Sequence, residues 1–278
     1  MSATTVGQRG ISVAELQRAW AALQAGHFHG QPGAQAAQRP APVSTWSPRP
    51  GERVLPVVSC GGSSGASTVA MALATAFERP ARVVECSSVT ASGLTSASTA
   101  ELGQDPSGWT QGTRARVLLE RASQVLLSAA QVPPPSTAKT EVELTVLDVA
   151  WDLGHVLATP CWVGGQVLGA EAVVLVTAAT VPGMRRLEAA VEMLAGTACV
   201  GAVVGPRRRR WPPAVWQCAG PLTRALDTAG HLQEVPRDKA LAVSGLDPCP
   251  LPAALLGAAT TLLRLTGSGQ TTPHRSPA

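Results

Sequence analysis

Residues 54–74 read VLPVVSCGGSSGASTVAMALA: an apolar β-branched run, a glycine- and serine-rich turn, then an alanine- and leucine-rich stretch of helical character. A strand apolar on both faces needs helices above and below it, so this order is the building unit of an α/β fold wound around a parallel sheet. The alternation repeats downstream. ARVVEC (81–86), ELTVLDV (143–149), EAVVLVT (171–177) and CVGAVVG (199–205) read as further buried strands, and VAMALATAF (69–77), RARVLLERASQVLLSAA (114–130) and MRRLEAAVEMLAG (184–196) read as crossover helices. The expected fold is a doubly wound, mostly parallel sheet in a three-layer α/β sandwich spanning residues 53–265.

The flanks differ in kind. Residues 1–29 hold an amphipathic helix, with Val13, Leu16, Ala19, Trp20 and Leu23 at helical spacing and Ser12 and Glu15 forming a capping box. Its stripe of Leu16, Trp20 and Leu23 either packs back on the domain or docks in a partner's groove. His27 and His29 flank Phe28 without further ligands and read as surface. Residues 30–52 are rich in Pro, Gly and Gln and read as a linker, while 266–278 (TGSGQTTPHRSPA) reads as a disordered tail by composition. QVPPPSTAKT (131–140) interrupts the domain without a helix or strand pattern.

With 278 residues, 45% of them hydrophobic, the chain can bury one substantial core. Its net charge is +4, and because lysine stands only at Lys139 and Lys239, guanidinium is the cation of its basic patches, a group suited to oxyanions. The cysteines Cys60, Cys86, Cys161, Cys199, Cys218 and Cys249 lack C-x-x-C spacing and read as reduced thiols. No apolar run approaches the roughly 20 residues that cross a bilayer, and Met1 to Gly10 lacks the order of a signal peptide, so a cytoplasmic location is expected.

The turn at 59–68 carries the chemistry. With Gly65 as the last glycine of G-x-x-x-x-G-K-[ST], Ser67 falls at the hydroxyl position and Thr68 just beyond it. The backbone N–H groups of Gly61, Gly62, Ser63, Ser64, Gly65, Ala66, Ser67 and Thr68 then form a nest for phosphate at a helix N-terminus. Ala66 replaces the lysine and Cys60 the first glycine, and a merely tight connection is the competing reading. LTVLDVAWDLG (144–154) ends its strand at Asp148, where a P-loop protein places the acid that orients magnesium. Ser67 and Asp148 are therefore the candidate metal positions, with ATP and magnesium as candidate cofactors.

Three later segments occur in a telling order: VLVTAATVPGMRRLEAAVEML (174–194), GAVVGPRR (201–208) and HLQEVPRDKALAVSGLDPCPLP (231–252). Together with the loop and Asp148 they make residues 53–265 resemble the ParA/MinD class of P-loop nucleotide-binding proteins. That resemblance implies base-side contacts from Pro206, Arg207, Pro236 and Asp238. It also exposes departures: Gly61 stands where the class carries a second lysine, Ser87 where it positions the attacking water with Asp, and Asp152 where its switch has glycine, Gly154 coming two later. One oxyanion donor is worth about 3 to 4 kcal/mol in a transition state, so hydrolysis is expected to be slow unless an arginine substitutes. Arg53, Arg82 and Arg114, near strand ends, are the candidates.

The resemblance, with its depleted loop, implies a protein that binds nucleotide weakly or not at all and acts as a switch or scaffold in DNA partition, plasmid transfer or positioning of a larger assembly. A divergent but active ATPase is the alternative. A third reading is a DNA-binding accessory protein using Arg207, Arg208, Arg209 and Arg210 beside Trp211 and Trp216, set against a solvated loop whose tryptophan packs inward. Residues 100–121, with Glu101, Trp109 and Arg114, read either as a partner-responsive segment or as an ordinary loop before a helix.

Overall fold

The computed structural model describes residues 45–137 and 141–267. The N-terminal helix with Leu16, Trp20 and Leu23, most of the linker and the C-terminal tail lie outside the described residues.

Nine strands form one sheet: β1 (Arg53–Ser59), β2 (Ala81–Cys86), β3 (Ala100–Gln104), β4 (Thr110–Arg114), β5 (Val117–Arg121), β6 (Leu144–Val149), β7 (Val173–Ala178), β8 (Cys199–Gly205) and β9 (Leu232–Pro236). Their spatial order is β3-β4-β5-β2-β6-β1-β7-β8-β9. From β5 to β9 every pairing is parallel, while β4 pairs antiparallel with both of its neighbours. The doubly wound, mostly parallel sheet expected from the sequence is present.

Helices cover both faces. On one lie α1 (Ala66–Ala76) and α8 (Ala253–Leu265), which close a core with Leu55, Val57, Val83, Leu144, Val146 and Val174. On the other lie α2 (Leu153–Ala158), α3 (Trp162–Gly169), α4 (Val181–Met193), α5 (Pro213–Gln217) and α6 (Pro221–Thr228), packed on Val58, Val84, Leu147, Leu175 and Val203. A short α7 (Lys239–Ser244) follows β9. Alternate residues of each inner strand thus enter two different cores, which is why the strands read as continuous apolar runs.

The segment 114–130 is not a helix. It supplies the end of β4, the whole of β5 and a 3-10 turn at Ala129–Gln131. Ala115, at φ 51, makes the hairpin turn, and Leu119 pairs with Val83 of β2 at full burial. A short apolar run cannot distinguish strand from helix by periodicity alone, and here the open edge of β2 decides. Consequently Trp109 is buried, with Nε1 donating to the Pro134 carbonyl at 2.9 Å, and Glu101 is paired with Arg121.

The chain leaves β1 for one face through α1 and leaves β7 for the other through α4. Crevices that hold ligands in open α/β sheets lie at such a reversal, outside the carboxyl ends of the strands.

Candidate functional site

At that reversal sits the glycine-serine loop. Ser59 Oγ donates to the Gly61 carbonyl at 2.6 Å and accepts the Gly61 N–H at 3.2 Å, while the Cys60 N–H donates to Val176 O at 2.9 Å. These bonds pin the loop to β1 and β7. Ser63, at φ 57, and Gly65, at φ 91, are both left-handed, which turns the backbone sharply into α1.

Helix α1 begins without a side-chain cap, and its first backbone bond runs from the Val69 N–H to the Gly65 carbonyl. The N–H groups of Ala66, Ser67 and Thr68 have no hydrogen-bond partner among the described residues. A helix N-terminus carries about half a positive charge on such orphaned groups, so the loop ends in a nest that suits an oxyanion.

Asp148, next to last in β6, lies beside the loop, in register with Val57 on one side and Glu85 on the other. It is fully buried, and neither carboxylate oxygen closes a hydrogen bond among the described residues. Burial pushes its carboxyl up to about 7, Glu85 adds to the rise and the Ser67 hydroxyl opposes it. An orphaned buried acid with a hydroxyl of the glycine-serine loop beside it fits a hard divalent cation, which takes oxygen ligands. Glu85, by contrast, is fully occupied. It accepts from Ser92 Oγ at 2.8 Å, from the N–H groups of Gly93 at 2.8 Å and Leu94 at 3.0 Å, and from Ala122 N–H at 2.9 Å. Ser87 is buried with its hydroxyl unbonded.

Two cavities flank the loop. The first, of about 230 Å³, is lined by Ser63, Gly65, Thr68, Val204, Pro236 and Leu241, with Arg237 and Asp238 at its rim. Pro236 and Asp238 therefore meet the loop, although Asp238 also caps α7 by accepting the Leu241 N–H at 2.9 Å. Pro206 and Arg207 are exposed and do not line this cavity. The second cavity, of about 380 Å³, is lined by Ser59, Gly61, Gly62, Trp151, Asp152 and Arg186 among others. Asp152 accepts the His155 N–H at 3.0 Å as the N-cap of α2, which accounts for an acid where glycine was expected.

None of the three arginines proposed from the sequence reaches the loop. Arg53 begins β1, about 20 Å from its end at strand rise, and pairs with Glu171. Arg82, in register with Thr145 at the same far end of the sheet, lies buried between Glu52 and Glu120. Arg114 donates to the carbonyls of Ala97, Asp247 and Cys249. Arg186 of α4 is the residue that sequence reasoning missed. A Cβ at Gly61 would stand 2.6 Å from its Nη1. Its charge is also felt at Cys60, whose thiol is pushed up to about 12 by burial, with Cys199 raising it further and Arg186 opposing. Cys60 is accordingly a protonated thiol at neutral pH.

The basic loop divides. Arg208 is structural: its guanidinium pairs with Asp227 and stacks 3.8 Å from the Trp216 ring centroid, and its N–H donates to Glu234 at 2.9 Å. Trp211 packs inward and donates to the Pro206 carbonyl at 2.8 Å. Arg207, Arg209 and Arg210 are exposed on the turn that Arg208 anchors.

No protein-family model matches the chain, and no characterised protein matches it by sequence. Among solved structures, a ParA family ATPase from Chlorobium tepidum is 15% identical over 76% of this chain and 96% of its own, with a TM-score of 0.47. The cell division ATPase MinD from Pyrococcus furiosus is 17% identical over 78% of this chain and 97% of its own, at 0.46. An ATP complex of McdA from Cyanothece is 12% identical over 80% and 98%, at 0.46. By its own strand order, its glycine-serine loop between β1 and α1 and its two helical layers, the chain has a doubly wound three-layer α/β fold, and ParA, MinD and McdA are proteins to which it is similar.

Proposed function

We propose that the protein is a ParA/MinD-like switch or scaffold whose loop 61–68 holds the phosphates of ATP while hydrolysing it slowly or not at all. The observation that carries this reading is the uncapped, unpartnered N–H nest at Ala66–Thr68 beside the orphaned carboxylate of Asp148. The base would enter the apolar cavity at Val204, Pro236 and Leu241. Ser67 and Asp148 would hold magnesium, which supplies neutralisation of phosphate charge when bound. Slow hydrolysis follows from Ala66 and Gly61 at the lysine positions and from Ser87, a buried hydroxyl in place of a water-orienting carboxylate. The leading Leu16, Trp20 and Leu23 stripe is proposed as the contact to a protein partner in partition, plasmid transfer or positioning of an assembly.

Calorimetric titration with ATP and magnesium tests this directly. Binding is expected, and Ala66→Lys is expected to tighten it about tenfold, the scale of one charge-assisted hydrogen bond, with little gain in phosphate release. A parent that binds no nucleotide would overturn the assignment, and an Ala66→Lys variant that binds no better than the parent would show that the loop lacks a phosphate-cradling shape.

A second reading rests on the exposed Arg207, Arg209 and Arg210, which form a rigid cationic edge for DNA phosphates. Replacing all three by alanine is expected to reduce the slope of log affinity against log salt by about 2 to 3, since each phosphate contact contributes about 0.9. Filter binding on duplex DNA at several salt concentrations measures it. An unchanged slope, or no DNA binding by the parent at low salt, removes this reading.

A further inference from the structure

Arg186 makes no ion pair and no hydrogen bond among the described residues, although its neighbours on the same face of the sheet are well occupied. Glu188, two residues along α4, caps α6 by accepting the N–H groups of Leu222 at 2.9 Å and Thr223 at 2.8 Å. The Arg186 guanidinium instead lies against the backbone of Gly61, in space that only the absence of a side chain there leaves open. It faces a 380 Å³ cavity whose floor is the loop backbone from Ser59 to Gly62. The acid in that lining, Asp152, has its Oδ1 engaged at the start of α2. Arg186 is an exposed cation whose guanidinium reaches the loop at Gly61, at the end opposite the unpartnered N–H groups of Ala66–Thr68.

The two cavities also order a ligand along the loop. Ser63, Ser64, Gly65 and Thr68 line the base-side cavity, and Ser59 to Gly62 line the other. A nucleotide with its base against Val204 and Pro236 and its phosphates along the nest therefore runs its last phosphate toward Arg186. We propose that Arg186, reaching from α4, is the cation of this loop, binding the terminal phosphate of a nucleoside triphosphate and setting the preference for triphosphate over diphosphate. This rests on the phosphate-loop reading above and adds a residue and a selectivity to it. The guanidinium fork suits a phosphate with two free oxygens, which a terminal phosphoryl group presents.

The experiment compares the affinities of ATP and ADP, each with magnesium, for the full chain and for Arg186→Ala, Gly61→Ala and Arg185→Ala. The parent is expected to prefer ATP, and Arg186→Ala to lose about tenfold in ATP affinity with ADP changed less than about twofold, the scale of one charged hydrogen bond. Gly61→Ala should reproduce that loss, because its methyl group would displace the flexible end of Arg186 and leave α4 in place. Arg185→Ala, an exposed neighbour on the same helix, should keep the parent's ratio. An ATP-to-ADP ratio unchanged in both Arg186→Ala and Gly61→Ala, with nucleotide still bound, overturns the role of Arg186 and leaves the phosphate-loop reading intact. A parent that binds neither nucleotide removes both.

Discussion

Asp148→Asn is expected to abolish a loss of stability that the parent suffers as pH rises from about 4 to about 8. The Asp148 carboxyl titrates near 3.8 in an exposed chain and is pushed up to about 7 in the fold, because burial and the charge of Glu85 both disfavour its ionised form. Between those values the folded state binds the proton more tightly than the unfolded state does. Stability therefore falls as pH rises through that window, by about 4 kcal/mol in total at 1.36 kcal/mol per pH unit. An asparagine cannot ionise, so its unfolding free energy should lack this slope, while its unpartnered amide costs about 1 to 2 kcal/mol at every pH. Urea unfolding at pH 5 and pH 8, with chelator present, measures the difference. The parent should lose about 2 to 3 kcal/mol more than the variant between the two pH values. Parallel behaviour of the two proteins would mean that Asp148 is not held as the neutral acid.

Glycines within helices are expected to respond with opposite signs. At Gly183, in the first turn of α4, an added Cβ would stand 2.1 Å from the Ala178 carbonyl oxygen and 2.9 Å from Thr177 Oγ1. The first of these is backbone and cannot swing aside. Gly183 also donates its N–H to Thr180 Oγ1 at 3.1 Å and accepts from Thr177 Oγ1 at 2.8 Å, so the helix start is tied to the end of β7. Gly183→Ala should cost about 3 kcal/mol through overpacking, and it should also shift Arg186, one turn further along. Gly165, exposed in α3, has nothing within 4 Å of its added Cβ. Gly165→Ala should stabilise by about 0.5 to 1 kcal/mol, since it lowers the backbone entropy lost on folding. Chemical denaturation midpoints of the two variants decide it, and equal shifts would refute the close approach at Gly183.

Much of the fold was legible where burial on both faces leaves a continuous apolar run. The expected strands at 81–86 and 199–205 coincide with β2 and β8, and those at the other inner positions differ by one or two residues at their ends. Legibility failed at the sheet edge. Val117, Leu118 and Leu119 fit a helix stripe as well as a strand, and only the vacant side of β2 selects pairing. Strand β9 was hidden because LQEVP is mostly half-buried and so lacks the unbroken apolar run of an inner strand.

The candidate site divides along the same line. The loop and Ser67 came from a strand-turn-helix spacing, whereas Asp148, Pro236 and Asp238 came from the resemblance; the fold sets all of them around one turn. Arg186 was not, although the adjacent arginines of the 184–196 stretch were in plain view. Its place over Gly61 depends on how α4 packs across the end of the sheet, which no local pattern encodes. Arg53, Arg82 and Arg114 were chosen for lying near strand ends, but Arg53 and Arg82 are at the amino ends, a strand's length from the chemistry, and Arg114 is held by carbonyls elsewhere.

Glu85 and Asp148 occupy one register level on adjacent parallel strands, and only Glu85 has its charge solvated by the protein. The donors that do so belong to residues 92–94 and to Ala122, so the docking of those segments and the proton on Asp148 are thermodynamically linked. Burial raises the Asp148 carboxyl first, and Glu85 adds to that rise across the shared rung. By reciprocity, a change of charge at Asp148 acts back on the segments that Glu85 holds. Two carboxylates at one rung of the sheet thus couple the segment after β2, electrostatically, to the acid beside the glycine-serine loop.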